Sequence, residues 1–189
     1  MNKNVYSIFA IYITLFMMTS CNTGPKDIDN TSTVMSHKAS KEIQQFGQLV
    51  GEWHCDVMNL LPDSTWKETK ARWKFEYVLD GTAIQDYWEH PIKSSNDTIP
   101  VLLGTNLRIY NPVLEKWQCA WVENKNNSMS GIWEATMNDN NEIVMNDGTD
   151  NWEIKFYNID ADHFDWQWDF KQPSGEMKTM SKISAVRKK

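Results

Sequence analysis

The sequence predicts an all-β protein: an antiparallel up-and-down β-barrel of about ten strands, with a short N-terminal helix across one end. Three observations predict it. Large apolar residues recur at every second position, most plainly in Phe164-Asp165-Trp166-Gln167-Trp168-Asp169-Phe170, where rings alternate with acids and an amide. A period of two is a strand with one dry and one wet face. The runs are joined by short turn-forming stretches and never by a long helical one, which makes successive strands antiparallel neighbours. The third observation is ten tryptophans, bulky rings whose N–H usually needs a partner. They suit a wide interior lined with indoles. Closing the meander into a barrel removes its two exposed edges.

The chain has 189 residues, enough for one domain with a real core. It is 41% hydrophobic and 23% charged, with a formal net charge of −6. No basic stripe runs through it, which argues against a nucleic-acid partner. Arg187-Lys188-Lys189 is the single basic run and reads as a solvated tail.

At the amino terminus, Lys3 precedes an almost wholly apolar run from Val5 to Met18. That run is long enough for a signal-peptide core and short of the ~20 residues that span a bilayer. It ends in Met17-Met18-Thr19-Ser20-Cys21. Small residues just before a Cys resemble the lipobox of bacterial lipoproteins, although Met18 stands where Leu is commonest. The resemblance implies cleavage of 1–20 and acylation of Cys21. The competing reading is an ordinary secretory signal with Cys21 incidental. Acyl chains at about 0.8 kcal/mol per buried CH₂ would hold the chain at the cell envelope; an acidic body would not be drawn to anionic lipid. Residues 21–40 are polar, rich in Asn, Thr, Ser and Asp, and read as a flexible tether.

The barrel domain is expected over 41–189. Ser40 to Val50 reads as a short helix capped by Ser40, with Ile43, Phe46 and Val50 on one face. Ten strands are expected after it: Glu52–Leu61, Thr65–Leu79, Thr82–His90, Ile99–Tyr110, Trp117–Asn124, Ser128–Met137, Glu142–Asn146, Thr149–Ile159, His163–Gln172 and Glu176–Val186. Asp80-Gly81 and Asp147-Gly148 are two-residue hairpin signals. Parity places Trp53, Cys55 and Val57 together inside, with Ala71, Trp73, Phe75, Tyr77 and Leu79, with Trp117, Cys119 and Trp121, with Trp152, Ile154 and Phe156, and with Phe164, Trp166, Trp168 and Phe170. Arg72, Lys74, Glu76, Asp165, Gln167, Asp169 and Lys171 face out.

Gly51-Glu52-Trp53, opening the first strand behind a short helix, resembles the Gly-x-Trp signature of calycins, the lipocalins and fatty-acid-binding proteins. Tyr110-Asn111-Pro112 followed by Trp117 resembles the Tyr-Asp-turn-Trp hairpin of bacterial lipocalin-like proteins. The resemblance covers roughly 41–189. It implies a barrel that binds a hydrophobic ligand and carries over no catalytic residue.

Ten strands enclose more volume than side chains readily fill, so Trp73, Tyr77, Trp121, Trp133, Trp166 and Trp168 are the candidate lining of a ligand cavity. The opposing reading is that these rings simply fill the core. The four histidines, His37, His54, His90 and His163, show no metal-ligand spacing, and no cofactor is expected. Nitrobindin barrels use a late His for haem, but none follows His163, which falls at a turn. Cys55 and Cys119 fall on strands that are not neighbours, and are expected as buried free thiols. No nucleophile motif or phosphate loop is present. Asp86 and Glu134 lie beside rings and are candidate bases in a dry pocket, although most such acids are solvated on the outer face. Arg108, between Leu107 and Ile109, should point outward; pointing inward, it would be the natural anchor for a ligand carboxylate. The expectation is a monomeric, membrane-tethered binding protein for a small apolar or amphipathic molecule. The alternatives are an accessory envelope lipoprotein with a filled barrel, and an enzyme, which would need a buried ionisable pair.

Overall fold

Two pairings close the sheet on itself. In the computed structural model, which describes residues 31–32, 39–92 and 101–189, the elements are β1 (Thr31–Ser32), α1 (Ile43–Gly47), β2 (Gly51–Leu60), β3 (Trp66–Val78), β4 (Ala83–His90), β5 (Leu102–Asn111), β6 (Lys116–Glu123), β7 (Ser128–Met129), β8 (Trp133–Met137), β9 (Ile143–Asn146), β10 (Trp152–Tyr157), β11 (His163–Lys171) and β12 (Met177–Arg187). Each barrel strand pairs antiparallel with the next, β12 pairs with β2, and β3 pairs with β4. The result is a closed ten-stranded meander. β1 and β7 are two-residue additions against β3 and β6. The expected signal segment (1–20), Cys21, His37, most of the tether, and Ile99 and Pro100 lie outside the described residues. No described helix is long and apolar enough to cross a membrane.

The helix closes one pole. Ile43, Phe46 and Leu49 are fully buried, and Phe46 packs edge-on against Trp117 (4.9 Å) and Phe156 (5.9 Å). The Trp117 indole N–H donates to Gln45 Oε1 at 2.8 Å. Two expectations are corrected here. Ser40 makes no side-chain cap; the first turn begins at Glu42, and Ser40 contributes its carbonyl to the Ile43 N–H. The inward face ends in Leu49, whereas Val50 is only partly buried, because the chain leaves the helix there for β2.

Arg187 is likewise no solvated tail. Its guanidinium lies 4.0 Å from the centre of the Trp53 ring, and it donates to the Val50 and Gln48 carbonyls at 2.6 and 3.0 Å. Last strand, first strand and helix are thereby tied at the closed pole. Gly51 has φ +138°, and a Cβ there would collide with Arg187 Nη1, so the glycine ahead of Trp53 is a requirement of this closure.

The turns mostly follow their chemistry. Asp80 and Gly81 both have positive φ and the Thr82 N–H donates to Leu79 O, as a tight hairpin requires. Asp147-Gly148 instead opens a longer loop. Asp147 Oδ1 accepts from the Thr149 N–H and hydroxyl, which holds Thr149 out of the ladder, and β10 starts at Trp152. The expected strand Ser128–Met137 is split into β7 and β8, because the Ser130 hydroxyl accepts the Trp121 N–H where a strand carbonyl would.

Candidate functional site

The end opposite α1 is open, and a cavity of about 590 Å³ runs from it into the barrel. Its walls are the inward positions of successive strands. Trp73 and Trp88 pair across β3 and β4, with ring centres 4.9 Å apart, and Trp166 stands 6.2 Å from Trp73. Trp121, Trp133, Trp168, Ile154 and Phe156 complete the apolar wall. The rim is mostly polar and carries both signs of charge: Asn59, His90, Glu123, Lys125, Asn126 and Ser181.

The structure thus brings Trp73, Trp121, Trp133, Trp166 and Trp168 around one space. Tyr77 is the exception and is corrected: it does not line the cavity. Its hydroxyl stands under α1 at the closed pole, where it leaves no room for a Cβ on Gly47, and burial raises its pKa. Trp88 and His90, not selected from the sequence, do line it. Both sit on alternate positions of β4 with Ile84 and Asp86, so the β4 parity was the available signal.

Gly104 shapes one wall. It occupies an inward position of β5, and a Cβ there would overlap the six-membered ring of Trp121. A small residue on β5 lets the indole lie flat across it.

The floor carries charge, and here the outward expectation for Arg108 fails. Arg108 is 2% exposed and Asp86 0%. Arg108 Nη1 lies 2.5 Å from Asp86 Oδ2, and the guanidinium sits over Phe46 and Phe75 at 4.9 and 5.4 Å. Asp86 Oδ1 accepts the Asn106 backbone N–H at 2.9 Å. Arg108 and Asn106 both border the cavity. The reason is register: Tyr110 pairs with Trp117 and Arg108 with Cys119, so the residues that point inward on β6 take Arg108 with them. Leu103, Leu107 and Ile109 are then half exposed on the outside. Burial pushes the Asp86 carboxyl above its ordinary range, against the pull of the Arg108 guanidinium and the Asn106 N–H.

Asp86 is therefore inside but committed to a cation, not a free base. Glu134 faces out and pairs with Lys116 at 2.7 Å. Cys55 and Cys119 are buried and unpaired; burial pushes both thiols up to about 12. His163 is on the outer face, 3.2 Å from Ser184 Oγ. His90 Nε2 is 2.7 Å from Thr69 Oγ1. Among the described residues, no cluster of His, Cys, Asp and Glu could hold a metal ion.

The chain is similar in fold to two solved structures. One is the S-type phycobiliprotein lyase CPES from Guillardia theta, with a TM-score of 0.56 and 18% identity over 77% of this chain and 92% of that one. The other is Rv2717c from M. tuberculosis, with a TM-score of 0.54 and 10% identity over 80% and 99%. At such identities the likeness establishes a shared barrel fold. No family model and no curated protein matches the sequence.

Proposed function

We propose that this protein binds a small hydrophobic or amphipathic molecule inside its barrel and is held at the cell envelope by acylation of Cys21. One observation carries the binding reading: a cavity of about 590 Å³, walled by indoles and rimmed by polar side chains, open at the pole that α1 does not cover. An apolar recess with a few convergent polar groups is the usual form of a ligand site. A packed core would leave no such space. The fold shared with a protein named a phycobiliprotein lyase is compatible with a binding role. The reading assigns no reaction, since the one fully buried acid among the described residues is occupied by Arg108.

The anchoring reading rests on the apolar run from Val5 to Met18 and on Cys21 where it stops. It is tested by metabolic labelling with an alkynyl fatty acid: label is expected on the full chain and lost in Cys21→Ser. The binding reading is tested with N-phenyl-1-naphthylamine, a neutral probe whose emission rises in apolar surroundings. Saturable enhancement with quenching of tryptophan emission is expected. No enhancement by the folded protein would mean a filled barrel.

A further inference from the structure

The floor of the cavity contains two formal charges that cancel. We infer that the cavity takes an uncharged amphipathic molecule, a chain or ring system ending in an alcohol or amide, and discriminates against the matching carboxylate. The inference rests on the cavity reading above and names the ligand class for that same site.

Arg108 already has a partner. An inward arginine in an apolar barrel would ordinarily anchor an anion. Here Asp86 holds that role, at 2.5 Å and with both side chains essentially without solvent contact. A second carboxylate at this floor would bring a net negative charge into a dry site beside Asp86. Two carboxylates sharing such a site cannot both stay ionised cheaply. Among the described residues no second cation stands at the floor: the pair's inward neighbours include Phe46 from α1, Trp73 and Phe75 from β3, Asn106 from β5 and Cys119 from β6, and Lys125, the cavity's other cation, belongs to the rim.

What the floor does offer is hydrogen bonding. Arg108 Nε and Asn106 Oδ1 are buried and find no partner within the protein. The Trp73 indole N–H leans toward Asp86 but closes no well-aligned bond. One acceptor and two donors are thus left unpaired on residues that border the cavity. Buried polar groups left unpaired are costly, so a head group that both donates and accepts gains most. A hydroxyl or a primary amide does both; a carboxylate only accepts.

The test uses dodecanol, dodecanamide and dodecanoate, which share a chain, as competitors for N-phenyl-1-naphthylamine at pH 8, where the acid is ionised. The alcohol and amide are expected to displace the probe at concentrations at least tenfold below dodecanoate. In Asp86→Asn, which frees the Arg108 charge, dodecanoate is expected to gain at least tenfold on the amide. Dodecanoate displacing the probe as well as the neutral pair from the unaltered protein overturns the inference. So does failure of the neutral pair to compete while the probe binds. If the probe itself does not bind, the cavity reading falls first and takes this one with it. Should Asp86→Asn fail to fold, the ratio measured on the unaltered protein decides alone.

Discussion

Removing Arg108 should cost far more than removing both members of its pair. Replacing Arg108 with Met keeps the aliphatic contact with Phe46 and Phe75 but strands the Asp86 carboxyl in a site with 0% exposure. Breaking a buried pair from one side costs about 3–5 kcal/mol, while replacing both partners with apolar residues is often neutral or stabilising by about 1–4 kcal/mol. For a domain of this size each kcal/mol moves Tm by roughly 2–4 °C, so Arg108→Met should lower Tm by roughly 6–20 °C. The double variant Asp86→Leu/Arg108→Met should stay near the parent or above it. The pH dependence follows from the raised Asp86 carboxyl. Without Arg108 the Asn106 N–H and the Trp73 indole alone oppose burial, and the folded-state pKa climbs further. A group raised in the folded state contributes stability that is fully present below its unfolded pKa and lost as pH rises through the folded value. The deficit of Arg108→Met should therefore shrink on acidification. Urea unfolding followed by tryptophan emission at pH 5 and pH 8 measures it. A cost under about 1 kcal/mol at pH 8 would show that the two charges are not locked together in a dry site.

Three further outcomes are expected. Arg187→Met should destabilise by on the order of 2 kcal/mol, since three charge-assisted hydrogen bonds, to the Gln48, Val50 and Ala161 carbonyls, and a cation–π contact are lost; an unchanged urea midpoint would dismiss its role as a clasp. Gly104→Ala should push the Trp121 indole off the β5 wall, at a cost of about 1–3 kcal/mol, and weaken probe binding with a changed near-ultraviolet dichroism; identical spectra and affinity would contradict the packing. Cys55 and Cys119, with thiols raised to about 12, should resist Ellman's reagent at pH 8 in folded Cys21→Ser protein and react fully in guanidinium, because the thiolate is the nucleophile; rapid reaction of the folded chain would refute their burial.

Much of this architecture is legible in the residues alone. Alternation in Phe164–Phe170 and Ala71–Tyr77 sets strands with one dry face, and turn chemistry at Asp80-Gly81 sets where one pair of them ends. Ring placement on inward parities also anticipates five of the residues that surround the cavity. Two local misreadings, at Asp147-Gly148 and at Ser130, came from side chains that capture backbone groups the ladder would otherwise use.

Strand parity is where sequence alone stops. A period of two says that alternate residues share a face, but not which face is inside. On β5 the apolar set Leu103, Leu107 and Ile109 argues for one choice, and the barrel adopts the other, because pairing of Tyr110 with Trp117 puts Arg108 opposite Cys119. Local hydrophobicity loses to register, since slipping by one residue would turn the whole of β5 over relative to β4 and β6. The meeting of Asp86 with Arg108 is likewise a product of closure: residues 22 positions apart come into contact only when β4 and β5 pair, and the rolled sheet, by keeping water out, leaves each charge dependent on the other.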